Sequence, residues 1–148
     1  MTTVVLATDG SANSVAAARR LLAPGVLTPP LVVHLVHASP DIEGRPRPYF
    51  STDLLEQWVD EAAAQAFAAI LPLLLPACAS VTEHRRLGDP AEVITEVAAQ
   101  SGADMIVMGT HGRGALLAAV LGSVASRVVA SATVPVLLVP RGAAPGGP

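Results

Sequence analysis

Apolar positions in this chain gather into short runs set between longer stretches of helical period. Val4 to Thr8 is a β-branched run that stops at Asp9-Gly10-Ser11, which reads as a strand followed by a turn. Ser11 is placed to cap a helix whose Val15, Ala18 and Leu22 share one face, with Arg19 and Arg20 turned to water. Pro24-Gly25 ends that helix, and Leu31 to Ala38 forms a second strand without polar alternation, the pattern of a strand covered on both faces. A polar, proline-rich loop from Pro40 to Ser51 carries Arg45, Arg47 and Tyr49. Ser51 or Thr52 then starts a long helix with Leu55, Trp58, Val59, Ala62, Ala66 and Ala69 on its apolar side, to be ended or kinked by Pro72 and Pro76.

Ser80 to Leu87 carries several charges and reads as an edge or less buried strand. Asp89-Pro90-Ala91-Glu92 is a helix start with Asp as N-cap, Pro at the first position and Glu closing a capping box. Val93, Ile94, Val97 and Ala98 form its apolar face, and Gly102 ends it. Residues 104–108 are the fourth strand, Ser123 to Ser131 the last helix, and Val136 to Val139 the last strand. The alternation of strands and crossover helices predicts an α/β, single-domain, open five-stranded parallel sheet with helices on both faces. Right-handed crossovers and a reversal of strand order then open a crevice at the carboxyl ends of the first and fourth strands. Residues 1–141 form this domain, and the Gly/Pro/Ala tail from 142 to 148 is expected to be disordered.

Composition narrows the picture. With 148 residues the chain suits one domain, and its 51% apolar but only 3% aromatic content calls for an aliphatic core. A net charge of −3 argues against nucleic acid or an anionic membrane as the main partner. The uncharged stretch from Ala62 to Thr82 is long enough to raise a membrane span, but it is alanine-rich and broken by Gln65, Pro72 and Pro76. The N-terminus passes directly into Val4-Val5-Leu6 without a basic leader, and the lone Cys78 suits a reducing compartment, so the expectation is a cytoplasmic protein.

The candidate chemistry lies in Gly109-Thr110-His111-Gly112 and, after nine intervening residues, Gly122-Ser123. Glycines at a strand end let backbone N–H groups close on a phosphate, and a fresh helix N-terminus adds unpaired donors and a positive dipole end. The chain contains no lysine, so this is no P-loop of the G-x-x-x-x-G-K-[ST] type, nor is it a G-x-G-x-x-G turn. Ser123 is placed to N-cap the last helix, with or without a phosphate. Asp9 either contacts a ligand or caps its own turn, and Arg113 either screens phosphate or faces solvent. His111 lacks a partner carboxylate at a recognisable spacing and reads as a loop histidine; His34 and His37 read as packed or edge histidines. No His, Cys and carboxylate spacing suggests a zinc site, and Cys78 in an apolar context reads as inert.

The G-x2-G-x9-G-[ST] spacing of Gly109, Gly112, Gly122 and Ser123, with Asp9 after the first strand and Val36-His37-Ala38, resembles the universal stress protein family, in its ATP-binding branch. The likeness runs from Val4 to Val139 and includes the closing Val134-Pro135-Val136-Leu137-Leu138-Val139. It implies strand order 3-2-1-4-5 and a nucleotide site made of Ala7, Thr8 and Asp9 at the nucleoside, Ala38 at the adenine, and Met108 and Gly109 against ribose and phosphates. Gly112, Gly122, Ser123 and Val124 match its phosphate-holding positions, while Ala125 replaces a hydroxyl residue found in some members. The resemblance further implies ATP as ligand, with ADP and AMP as alternatives and Mg²⁺ accompanying the phosphates, and a homodimer through Val136–Val139. The function it implies is nucleotide-dependent regulation with slow hydrolysis at most. The alternatives are the family's ligand-free interaction branch and, from a related fold, an ATP-pyrophosphatase-type enzyme. The latter's S-G-G-x-D-S loop is replaced here by Thr8-Asp9-Gly10-Ser11.

Overall fold

The computed structural model describes residues 1–40, 52–111, 121–140 and 142. The expected loop at 41–51, with Arg45, Arg47 and Tyr49, and all of the tail but Gly142 lie outside the described residues. Five strands, β1 (Thr2–Ala7), β2 (Leu31–Ser39), β3 (Ser80–Leu87), β4 (Met105–Gly109) and β5 (Val136–Val139), form one sheet in the order β3-β2-β1-β4-β5. Every pairing is parallel, with Thr2 to Ala7 opposite Leu31 to Val36, and Val4 to Leu6 opposite Met105 to Val107. The helices are α1 (Ala12–Leu21), α2 (Thr52–Phe67), the short α3 (Leu71–Leu74), α4 (Pro90–Ser101) and α5 (Ser123–Ser131).

The two-residue period of the strands sorts their side chains into two cores. Val4, Leu6, Val33, Leu35 and Val107 meet α1, α2 and α3 on one face through Ala17, Leu21, Phe67, Ile70 and Leu74. Val5, Ala7, Val36, Ile106 and Met108 meet α4 and α5 on the other through Ile94, Val97, Ala125 and Val128. The sheet is therefore covered on both sides, as the unalternating apolar strands require. β3 lies at an edge with mostly exposed or half-exposed residues, in keeping with its charges.

Local capping chemistry places several helix ends. Ser11 accepts from the Ser14 N–H at the start of α1. Asp89 caps α4, accepting from the Glu92 N–H, with Pro90 in the first turn. Gly102 ends α4 at φ 62°, the left-handed conformation for which a Cβ is costly.

The faces of two helices differ from expectation. On α2, Leu55 and Trp58 are 40% and 41% exposed and Ala69 beyond its end is exposed, while Val59, Ala63, Ala66 and Phe67 are buried. An alanine-rich helix carries a faint stripe, so the large Phe67 and the following Ile70 decide its rotation by burying against the sheet. On α1, Ser14, Ala17 and Leu21 join Ala18 inside, whereas Val15 and Leu22 sit at the core's margin. Small residues win that face because α1 approaches β4 closely: a Cβ on Gly109 would lie 3.1 Å from the Asn13 Cβ. The prolines do not set the end of α2 either; it stops at Phe67, and Pro72 sits in the first turn of α3, where a missing N–H costs nothing.

Candidate functional site

The carboxyl ends of β1, β2 and β4 and the N-termini of α4 and α5 enclose a cavity of about 490 Å³. Its wall includes Ala7, Thr8 and Asp9 from the end of β1, Ala38 from β2, Met108 and Gly109 from β4, and Gly122, Ser123 and Val124 from the start of α5. The structure thus gathers these sequence-predicted positions around one crevice. Gly112 and Arg113 lie outside the described residues.

Side chains absent from the expected set complete the walls. Val36, Ile94 and Ala125 join Met108 as an apolar floor, and Ser14, His37, Pro40, Pro90, Thr110 and His111 line the remainder. Ile94 was visible in the sequence only as a core position, and Val36 only within the strand-end stretch Val36-His37-Ala38. Their place beside the cavity follows from the register of parallel strands and from the angle of α4, which no local pattern encodes.

The β1 side of the crevice is tightly tied. The Asp9 carboxylate accepts from the Ser11 N–H at 2.9 Å and from the Ser14 hydroxyl at 2.7 Å, while the Asp9 N–H donates to that same hydroxyl oxygen at 3.1 Å. This local turn orients the carboxylate as α1 begins. The Thr8 carbonyl accepts from His37 Nδ1 at 2.8 Å. A carbonyl cannot donate, so the neutral His37 carries its proton on Nδ1. That bond, and the Thr8 N–H to the Val36 carbonyl at 2.9 Å, bind the ends of β1 and β2 to each other.

The β4 side is built differently. The Gly122 N–H donates to the Thr110 carbonyl at 2.8 Å, bringing the end of β4 to the start of α5. Asn13 Nδ2 donates to the His111 carbonyl at 2.8 Å, and Thr110 Oγ1 lies 2.8 Å from His111 Nδ1. His111 is only 9% exposed, and its Nε2 is buried without a hydrogen-bond partner. Ser123 does not cap α5 as expected; Gly122 occupies the cap at φ −60°, ψ 155°, and no side chain bonds the first-turn N–H groups. The loop meets the helix one residue earlier than the serine because the Gly122 N–H is spent on Thr110. The uncapped donors and the positive dipole end face the cavity that Ser123 and Val124 line.

Electrostatics outside the crevice are modest. Arg127 on α5 pairs with Asp89 at the start of α4, and this bond, with the Glu92 N–H, holds the Asp89 carboxyl below its ordinary range. Across β2 and β3, His34 Nδ1 lies 2.8 Å from His84 Nε2, a pairing between residues 50 apart that sequence spacing does not disclose. Burial pulls both histidines toward the neutral form, and at His84 the neighbouring His34 and Arg86 add to it. Burial raises the Cys78 thiol, which disfavours the reactive thiolate. Among the described residues, no three His, Cys, Asp or Glu side chains are grouped to hold a metal ion. Nor is any helix among them long and apolar enough to cross a membrane.

A doubly wound parallel sheet with its crevice where the strand order reverses defines a class of α/β ligand-binding domains. Residues 1–140 match the universal stress protein family, and the chain belongs to that family. A universal stress protein of Thermus aquaticus, from the 3' region of a QAH/OAS sulfhydrylase, is 37% identical over 139 residues, covering 93% of this chain and 97% of that protein. The structure of the hypothetical protein MJ0577, the subject of a structure-based assignment of biochemical function, superposes with a TM-score of 0.82 at 26% identity, covering 97% of this chain and 98% of the other. An Arabidopsis thaliana family protein solved with AMP bound shares the fold at a TM-score of 0.61 and 19% identity, over 97% of this chain and 94% of that one. Other structures of this fold are complexes with dAMP and with cAMP.

Proposed function

We propose that the crevice binds an adenine nucleotide, with the base and ribose against Ala7, Ala38 and Met108 and the phosphates at Gly109, Gly122, Ser123 and Val124. ATP is the ligand we assign, with ADP and AMP as alternatives. The observation that carries this reading is the α5 N-terminus, which opens uncapped onto a cavity with an apolar floor. Such a terminus takes a phosphate without a lysine, and this chain has none. Relatives of the same fold bearing AMP, dAMP and cAMP support the adenine assignment.

The residues present suit that ligand. Apolar side chains on the floor accept a flat base, the fixed Asp9 carboxylate offers acceptors to a ribose hydroxyl, and backbone N–H groups meet the charge. With no cluster of protein ligands among the described residues, Mg²⁺ would be carried by phosphate oxygens and water. In this reading the crevice binds its nucleotide and hydrolyses it slowly at most.

In this reading the protein is a regulatory homodimer of the cytoplasmic stress response, its nucleotide occupancy shifting the population of a partner-facing state. The half-exposed Val136, Leu137 and Leu138 on edge strand β5 support pairing there, because an apolar edge invites a second copy. Differential scanning fluorimetry with millimolar ATP and Mg²⁺ tests the nucleotide reading. A ligand at 100 times its dissociation constant adds about 2.7 kcal/mol to the folded state, so the melting temperature rises by several degrees. No rise with ATP, ADP or AMP, together with no nucleotide released on denaturing the purified protein, returns the chain to the ligand-free interaction branch.

A further inference from the structure

We propose that the His34–His84 pair is an acid-released clasp: it holds edge strand β3 to β2 while at most one of its rings is protonated, and it loosens β3 when both are. The pair lies outside the crevice and does not depend on the nucleotide reading. His34 Nδ1 and His84 Nε2 are 2.8 Å apart, with ring centroids 5.1 Å apart and ring planes tilted by 37°. Strand register puts both rings on one face of the sheet. His34 lies opposite Val5 and His84 opposite Val36, and both valines belong to the core beneath α4 and α5. Both rings are half-buried, within reach of solvent protons. β3 ends the sheet with β2 as its neighbour, and among the described residues no other side-chain hydrogen bond joins the two strands.

The contact between the rings has room for one proton. Two neutral imidazoles meet with an N–H on one facing nitrogen and a lone pair on the other, whichever ring donates. A first added proton enters at an outward nitrogen and leaves the bond in place. A second puts an N–H on both facing nitrogens, so two donors and two positive charges oppose each other where a bond stood. The surroundings do not offset that charge. Arg86, opposite Ala38 on the same face, disfavours a proton on His84, as does His34 itself. On α4, packed against this face, Glu96 accepts from Gln100 and Glu92 lies toward Arg127 of α5, which pairs with Asp89. Among the described residues neither glutamate acts on either ring. Glu83 and Arg85 alternate to the opposite face of β3, where Arg85 pairs with Glu83 and with Asp60 of α2.

Burial draws both histidines toward the neutral form. The folded chain thus binds fewer protons than the unfolded chain once pH falls to about 6.5, the ordinary histidine value. The contribution of the clasp is complete above that value and is lost as pH falls through it toward the lower folded values. The strand it holds continues through Gly88 to Pro90 on the crevice wall, so clasp and crevice share one stretch of chain.

Hydrogen–deuterium exchange of the full chain at about pH 7.5 and about pH 5, either side of the ordinary histidine value, tests this. After correction for intrinsic rates, the β3 amides exchange roughly fivefold faster at the lower pH, the effect of losing one hydrogen bond. The β1 amides stay protected through the same labelling, because they open only with the whole fold. Thermal melts of His34→Asn, His84→Gln and the double variant give a second readout. Between the two pH values the parent loses about 3 °C more than the double variant. Each single substitution removes most of that difference, because the conflict needs both rings. Exchange in β3 that is indifferent to pH, or β1 amides released together with β3, overturns the inference. So do single-variant effects that add up to that of the double variant, the behaviour of two independent histidines.

Discussion

At the start of α1, Ser11 accepts from the Ser14 N–H, and the Asp9 carboxylate takes the Ser11 N–H and the Ser14 hydroxyl. At the start of α5, on the other side of the same crevice, Gly122 brings no side chain and nothing caps the first turn. The two helix ends have the same intrinsic need for acceptors. One meets it from its own sequence and so contributes a rigid wall with a fixed carboxylate. The other leaves it unmet, beside a histidine nitrogen that is also unmet. Among the described helix starts, those of α1 and α4 are capped by their own side chains and that of α5 is not.

The division can be broken most sharply by giving α5 the chemistry of α1. Gly122→Asp puts a carboxylate at the helix cap, where it stabilises the fold by about 0.5 kcal/mol. On the nucleotide reading proposed above, the same charge repels a phosphate in a partly buried site, and ATP affinity falls by roughly 100-fold. Urea unfolding and calorimetry on one sample check both signs; a variant that binds ATP as well as the parent removes the phosphate from α5. Ser11→Ala is the converse change. It strips the cap from α1 and costs about 1 kcal/mol of unfolding free energy. Its effect on ATP affinity is smaller, because the lost bond is internal to the protein.

Acid sharpens the contrast with the least disturbance. The α4 cap, Asp89, has a folded-state carboxyl held below its ordinary range first by Arg127. A carboxylate with a depressed folded value contributes stability that is complete above the unfolded value, about 3.9, and is lost as pH falls through the lower folded one. The contribution is small at such an exposed pair. Arg127→Ala flattens this part of the stability curve below pH 4, as read from thermal melts across pH, whereas α5, with no carboxylate cap, adds nothing to it.

What could be read from the chain follows the same line between local and distant contacts. Ser11, Asp89 and Gly102 mark their helix ends because a cap bonds within a few residues of itself. The strand order and the crevice were legible through the alternation of elements and the family resemblance. The buried face of α2 was not, since alanines give little contrast and Phe67 settled the rotation by contacts with a distant sheet. Ser123 was misplaced as a cap by one residue, because the Gly122 bond to Thr110 closes the loop before it. His34 with His84 and Asn13 with His111 join residues 50 and 98 apart, and neither pair leaves a trace in spacing. The orphaned nitrogen of His111 is likewise a property of burial, invisible until the turn is folded against α1.

Asn13 carries one more consequence. Its amide holds the His111 carbonyl, and its Cβ stands where a side chain at 109 would begin. A helix from the opposite wall therefore acts as the mould in which the turn at 109–111 is cast. The glycine-bearing segment is not portable: transplanted alone into another sheet, it would keep its spacing and lose its shape.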